Sequence, residues 1–247
     1  MLYCAQNHIT SFKIVLFAYR SASSNLNFEA WGIVIEPDIN CQLCPRLATY
    51  REENRALYPE WYNGPVKSIG ELNNELLILG LAPGLKGANR TGKPFMGDHA
   101  GKLLYPTLIK FGFAVGTSAG SSEGEVELRN CRIANAVRCV PPQNKPKGSE
   151  ISACADFLRQ ELNYMPNLKV ILALGTIAHN SALGVFQLRR SNWKFAHNSY
   201  HDLGKGPVLI DSYHCSRYNT NTGRLTEDMF YAVFRTIREL IPIEGCQ

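Results

Sequence analysis

Three stretches of this sequence carry residue types that do chemistry. The first is Gly80-Leu81-Ala82-Pro83-Gly84, continuing through Gly87-Ala88-Asn89-Arg90-Thr91-Gly92-Lys93-Pro94-Phe95-Met96-Gly97-Asp98. Its glycines and prolines make a rigid loop that lets backbone approach a ligand, with Phe95 as a flat apolar wall and Asp98 as an ionisable group. The plainer reading is an ordinary βα connection. Gly87 to Lys93 meets most of a phosphate-binding P-loop pattern, but Pro94 stands where Ser or Thr would ligate magnesium, and it biases Lys93 away from helix. The second stretch is the thiol pair Cys41-Gln42-Leu43-Cys44, with Cys139 and Cys154 far downstream. Four thiolates hold a zinc ion or a [4Fe–4S] cluster, and spacing alone does not separate the two; Cys139 and Cys154 also read as ordinary buried thiols. The third is His214-Cys215-Ser216-Arg217. It fits a thiol nucleophile beside a histidine, a loop-capping structural histidine, or an imidazole donating to a developing oxyanion while Ser216 and Arg217 grip a phosphate.

These stretches need a frame. Pro45 suits the first position of a helix carrying Leu47, Tyr50 and Leu57 near helical spacing, with the thiol pair at its entry. Leu76 to Leu79 is a short apolar strand opening into the glycine-rich loop. His99 to Phe111 aligns Leu103, Leu104, Leu108 and Phe111 on one helical face, interrupted by Pro106. Gly116 to Gly124 is polar and predicts a surface loop. A second strand is expected around Arg132 to Val137, a helix near Ser149 to Leu162, and a third strand from Leu168 to Leu174 ending in Gly175-Thr176. Phe186 to Gly206 reads as basic and irregular. A fourth strand at Val208 to Ile210 precedes the histidine stretch, and a last helix starts near Thr226 with Phe230, Val233, Phe234, Ile237 and Leu240 inward. Four apolar strands alternating with helices predict a mostly parallel sheet covered on both faces. Ligands of such sheets bind beyond the carboxyl ends of the strands, where the Gly80 to Asp98 loop, Asn135, Gly175 and His214 should emerge together.

The chain has 247 residues, 45% hydrophobic and 19% charged, which excludes disordered and membrane-embedded classes and allows one α/β domain. A net charge of +5 permits a polyanionic partner without demonstrating one. Eight cysteines that include Cys-x-x-Cys, without a convincing secretory signal, read as reduced, metal-bound thiols of a cytosolic protein. Residues 1–40 fit poorly with the rest of the chain and read as an N-terminal extension to a domain spanning 41–247.

The Gly80 to Asp98 run closely resembles the first motif of the family 5 uracil-DNA glycosylases, the iron–sulfur type. Tyr213-His214-Cys215-Ser216-Arg217-Tyr218-Asn219-Thr220-Asn221-Thr222-Gly223-Arg224-Leu225-Thr226 resembles its last motif. Cys41-x-x-Cys44, Asn135 to Cys139 and Cys154 match as well, so the resemblance covers Cys41 to Leu240. It implies a three-layer αβα sandwich around a mostly parallel four-stranded sheet, with a structural [4Fe–4S] cluster on Cys41, Cys44, Cys139 and Cys154. It also implies a monomeric, monofunctional DNA repair enzyme acting on uracil-containing DNA, double- or single-stranded. Such an enzyme flips uracil into a pocket and hydrolyses its N-glycosidic bond, leaving an abasic site. On that reading Gly84 backbone lines the pocket, Phe95 stacks on the base, Asn135 pairs with its O4 and N3, and His214 donates to O2. Asp98 would orient water or stabilise the sugar cation, its plainer role being a cap on the following helix. Ser216, Arg217, Asn219 and Arg224 would contact DNA. Many family members have proline where this chain has Cys215. The alternative is a non-catalytic iron–sulfur or zinc nucleic-acid-binding protein on the same fold.

Overall fold

The computed structural model describes residues 36–116, 126–204 and 206–243. Most of the expected extension and most of the expected Gly116 to Gly124 loop lie outside them. In chain order the elements are α1 (Pro45–Leu57), β1 (Leu76–Gly80), α2 (Ala88–Thr91), α3 (Gly101–Lys110), β2 (Ala114–Gly116), β3 (Val126–Leu128) and β4 (Cys131–Asn135). There follow α4 (Gly148–Asn163), β5 (Val170–Leu174), α5 (Thr176–Val185), β6 (Tyr200–Asp202), β7 (Val208–Ser212), α6 (Arg217–Asn221) and α7 (Glu227–Leu240). Among the described residues, no helix is long and apolar enough to cross a membrane.

The central sheet has the order β4-β1-β5-β7-β6. Its first four strands pair in parallel, and β6 adds an antiparallel edge against β7. The sheet is therefore five-stranded rather than the expected four-stranded one. Its extra strand, Tyr-His-Asp, lies inside the stretch read as irregular, too short and too polar to show an alternating pattern. β2 and β3 form a separate antiparallel pair.

Burial on both faces explains why β1 and β5 are apolar throughout, while β4, equally buried, carries Arg132 and Asn135 among its apolar residues. Leu76 and Ile78 join one core with Leu104, Leu108, Phe230 and Phe234 from α3 and α7. Leu77 and Leu79 join the other with Leu158, Leu162, Ala178 and Leu183 from α4 and α5. Successive strand residues thus feed opposite layers, and each fully buried Leu or Phe contributes about 1.5–3 kcal/mol. α7 starts where Thr226 accepts a hydrogen bond from the Met229 N–H at 3.2 Å, with Glu227 and Asp228 in its positive first turn. Pro106 is held inside α3, where it has no N–H to give the Lys102 carbonyl.

α1 departs from its expected face. It buries Leu47, Ala48, Arg51 and Asn54, whereas Leu57 is 69% exposed. At 3.6 residues per turn, Leu57 lies about 80° off the stripe through Leu47, Arg51 and Asn54. Buried Glu161 on α4 accepts from Arg132 in β4 at 2.5 Å and from Arg138 just beyond it at 2.6 Å, tying β4 and the segment after it to α4. Burial opposes ionisation of Glu161, yet Arg138 and Arg132 hold its carboxyl below the usual range. Glu36 joins the same network, 3.7 Å from Arg132, and accepts from the Ser68 N–H at 3.3 Å.

Candidate active site

The carboxyl ends of β1, β4, β5 and β7 surround a cavity of about 540 Å³, lined among others by Gly84, Phe95, Asp98, Asn135, Gly175 and His214. Pairing in the sheet sets Gly80 beside Asn135. A Cβ on Gly80 would stand 2.4 Å from Asn135 Oδ1 and 2.6 Å from Phe95 Cζ, so only glycine lets this amide and this ring come together. Phe95 itself has φ +60°, a left-handed backbone that an aromatic residue adopts only when its surroundings enforce it. One enforcing contact is the Tyr105 hydroxyl, which donates to the Pro94 carbonyl at 2.6 Å. The Phe95 ring lies 6.1 Å from the His214 ring, their planes 29° apart.

Two buried polar atoms on the cavity-lining residues, Asn135 Oδ1 and His214 Nδ1, have no hydrogen-bond partner. Buried polar atoms are ordinarily satisfied, so this pair marks a place prepared for a polar ligand edge. Burial pushes the His214 pKa down to about 4, which leaves a neutral imidazole at physiological pH. It can offer an N–H without bringing a charge.

Asp98 lines the cavity but turns toward the loop before it. Its Oδ2 accepts the Ala88 N–H at 3.1 Å, and a Cβ on Gly84 or Gly87 would come within 2.1 or 2.0 Å of Oδ1. The carboxylate thus caps the short α2 rather than the helix that follows it. Burial raises its pKa, opposed by backbone groups of Ala88 and Gly84. The same contact disposes of the P-loop reading, because the Ala88 N–H already has its acceptor and Lys93 points to solvent.

The last motif is divided between support and surface. Ser216 caps α6, its Oγ accepting the Asn219 N–H at 3.4 Å, and Asn219 Nδ2 donates to the His214 carbonyl at 2.8 Å. Asn219 is half-buried, with its Nδ2 taken up by the His214 loop. Arg217 is exposed at the cavity rim, and the Arg224 guanidinium lies over the Tyr213 ring at 4.7 Å. Cys215 is fully buried in the core, where burial pushes its thiol up to about 12, so no nucleophilic dyad with His214 forms.

Cys41, Cys44, Cys139 and Cys154 line one small cavity of about 10 Å³ with Leu47, Val137 and Phe157. The Arg138 N–H donates to Cys154 Sγ at 3.4 Å. Burial, then Cys154, raise Cys44 to about 11 and Cys139 to about 12. Thiols gathered this way ionise only with metal to neutralise them. Among the described residues, the one group of three metal-type ligand atoms lying within 4.8 Å of one another is His179, His201 and Asp211. The four sulfurs are thus spread wider than the ~3.8 Å separation that tetrahedral zinc with 2.3 Å bonds requires. His179, for its part, has no lone pair to give a metal. Its Nε2 donates to the Trp193 carbonyl at 3.0 Å, and its Nδ1 meets Asp211 Oδ1 at 2.8 Å, with His201 on the other carboxylate oxygen at 2.9 Å.

Residues 67–238 match the model of the Uracil DNA glycosylase superfamily. The chain belongs to this superfamily. It is 42% identical over 206 residues to the Type-5 uracil-DNA glycosylase of Thermus thermophilus, an overlap of 81% of this chain and 93% of that protein. The Pyrobaculum aerophilum Type-5 uracil-DNA glycosylase is 35% identical over 201 residues, 80% of this chain and 87% of its own. That of Mycobacterium tuberculosis is 37% identical over 212 residues, 83% and 79% respectively.

Within this glycosylase-superfamily frame, several residues at or near the cavity have no individual role legible in the sequence. Gly80 opens the first motif, but nothing in its neighbours reveals that Asn135 and Phe95 converge on it. His99 and Thr220 meet at 3.0 Å and tie the first motif to the last, a contact between residues far apart in the chain. Tyr218, 70% exposed, stands at the rim, where a lone tyrosine in a polar run gives no signal of its place.

Proposed function

We propose that this chain is a uracil-DNA glycosylase that flips uracil out of DNA and hydrolyses its N-glycosidic bond. The observation that carries the reading is the unpartnered pair of Asn135 Oδ1 and His214 Nδ1 on a cavity walled by Phe95. Uracil presents an N3–H between two carbonyl oxygens, and a side-chain amide complements one half of that edge. Asn135 Oδ1 accepts N3–H while its Nδ2 donates to O4, and Phe95 stacks on the extruded ring. As the bond from N1 to C1′ breaks, its electron pair moves onto uracil, where negative charge gathers at O2 and positive charge is left on the sugar. The neutral His214 imidazole donates to O2 and stabilises this leaving group by about 3 kcal/mol. Water then adds to C1′ and releases a proton, with Asp98 orienting the water or stabilising the sugar cation.

Ser216, Arg217, Asn219 and Arg224 are assigned to the DNA backbone, Asn219 also supporting the His214 loop through its Nδ2. The superfamily membership and the gathered thiols support a [4Fe–4S] cluster held by Cys41, Cys44, Cys139 and Cys154. When bound, it supplies a structural tie and no electron to the hydrolysis. Such a cluster with reduced thiol ligands suits the cytosol.

The deciding experiment is release of free uracil from a uracil-containing oligonucleotide under single-turnover conditions. An iron-loaded chain that releases none overturns the proposal in favour of a non-catalytic DNA-binding role. In the same assay Asp98→Asn, which keeps an acceptor for the Ala88 N–H, is expected to slow excision by about tenfold or more. Near-normal chemistry would remove Asp98 from the mechanism.

A further inference from the structure

Arg51 is a charged residue in an unusual position. It lies on the inward face of α1, 1% exposed, about two turns beyond Cys44 at the helix entry. Its Nη1 donates to the Cys41 carbonyl at 3.0 Å. Its Nε and Nη2 are buried and have no hydrogen-bond partner. The acid beside it is Glu52, 3.5 Å from Nε, whose side chain is 56% exposed and also serves Arg55 at 2.9 Å. The arginines nearby are better provided for. Arg138 and Arg132 share the buried Glu161, and Arg46 makes a two-pronged pair with Glu150.

A guanidinium does not shed its charge to escape burial, so unpaired N–H groups in the interior call for an anion. What lies beside Arg51 is the cysteine cage. It accepts Arg51 through the Cys41 carbonyl, and the Cys139 thiol is among the groups that Arg51 faces. Four thiolates around a [4Fe–4S] core carry more negative charge than the core offsets, so the loaded cage is a net anion. Net charge and hydrogen bonds near the sulfurs set the stability and potential of such clusters.

We propose that Arg51 is the built-in counter-charge of the cysteine-held cluster: its fixed cation and open N–H groups stabilise the anionic cage, favour its more reduced state and slow its loss. This rests on the iron–sulfur reading above.

The test compares purified full-length wild type, Arg51→Met and Arg51→Lys. Iron and acid-labile sulfide are measured, with the midpoint potential of the cluster and the rate at which a chelator bleaches its visible absorbance. The wild-type chain should carry iron and sulfide together. Arg51→Met is expected to bleach several-fold faster and to show a more negative midpoint potential, or to lose its cluster outright. Arg51→Lys, which keeps the charge, should retain the cluster with most of the wild-type potential. Zinc, or no iron and sulfide, in the wild type overturns the cluster reading and this proposal together. A wild type that is loaded, with Arg51→Met equal to it in potential and bleaching, overturns this proposal alone. So does Arg51→Lys failing as fully as Arg51→Met, which would make Arg51 a packing residue.

Discussion

Asp211 and His214 leave the same end of β7, yet the histidines they belong with are opposites. His179, beside Asp211, is buried with both ring nitrogens engaged, one on a carboxylate and one on a carbonyl. Burial favours its neutral form, but Asp211 and the Trp193 carbonyl raise its pKa above the ordinary value. His214 has a buried Nδ1 with nothing to bond, and burial alone carries its pKa down to about 4. The first histidine is completed by the protein and belongs to its architecture. The second is left incomplete on a cavity, and in the proposed reaction it is the uracil that completes it. Residue type and a buried Nδ1 are shared by both, so the discriminating property is whether each polar atom already has a partner.

That contrast can be broken most forcefully at Asp211. Asp211→Ala strips His179 and His201 of their common partner in the interior and is expected to destabilise the fold by about 3–5 kcal/mol. For a chain of this size the apparent Tm should fall on the order of 10 °C. Uracil excision measured well below the transition should be little changed. A variant with full stability and lost activity would reverse the assignment of structural and chemical roles. His214→Ala makes the mirror-image prediction. Single-turnover excision should drop about 10²–10³-fold, ~3 kcal/mol of lost leaving-group stabilisation, with thermal stability unchanged or improved. An undiminished rate would show that the unpartnered imidazole is not the donor.

The fold was legible in the sequence wherever apolar runs coincide with burial on both sheet faces. Leu76 to Leu79, Leu168 to Leu174 and the Phe230, Phe234 and Ile237 stripe state their own positions. β6 was not legible, because an edge strand of Tyr-His-Asp is held by its pairing with β7 and not by its own pattern. α1 misled for a related reason. Its inward face carries Arg51 and Asn54, and hydrophobic periodicity cannot register a buried face that is polar. At the site, Phe95, Asn135 and His214 could be named from motifs, whereas Gly80 acquires meaning only from the two side chains that pack over it. The direction in which Asp98 turns, back onto Ala88, is a fact of loop geometry that no residue spacing encodes.

The two histidines should also respond to pH with opposite signs, and this is the smallest of the expected effects. His214 titrates lower in the folded chain than in the unfolded one, so the unfolded chain takes up a proton that the folded one refuses. Its contribution therefore weakens the fold as pH falls from about 6.5 to about 4, by on the order of 2–3 kcal/mol, since the cavity keeps part of the ring in reach of water. His179 titrates higher when folded, so its pairing with Asp211 stabilises fully below about 6.5 and fades as pH rises through the folded pKa. Heteronuclear NMR of histidine-labelled protein reads both titrations directly, with His214→Gln and Asp211→Ala assigning the signals. His214 should stay neutral through the pH range where an exposed histidine charges, while His179 is still protonated above it. If both rings titrated together near the ordinary value, their environments would not differ as the hydrogen bonds say they do. The neutral donor assigned to uracil O2 would then lose its physical basis.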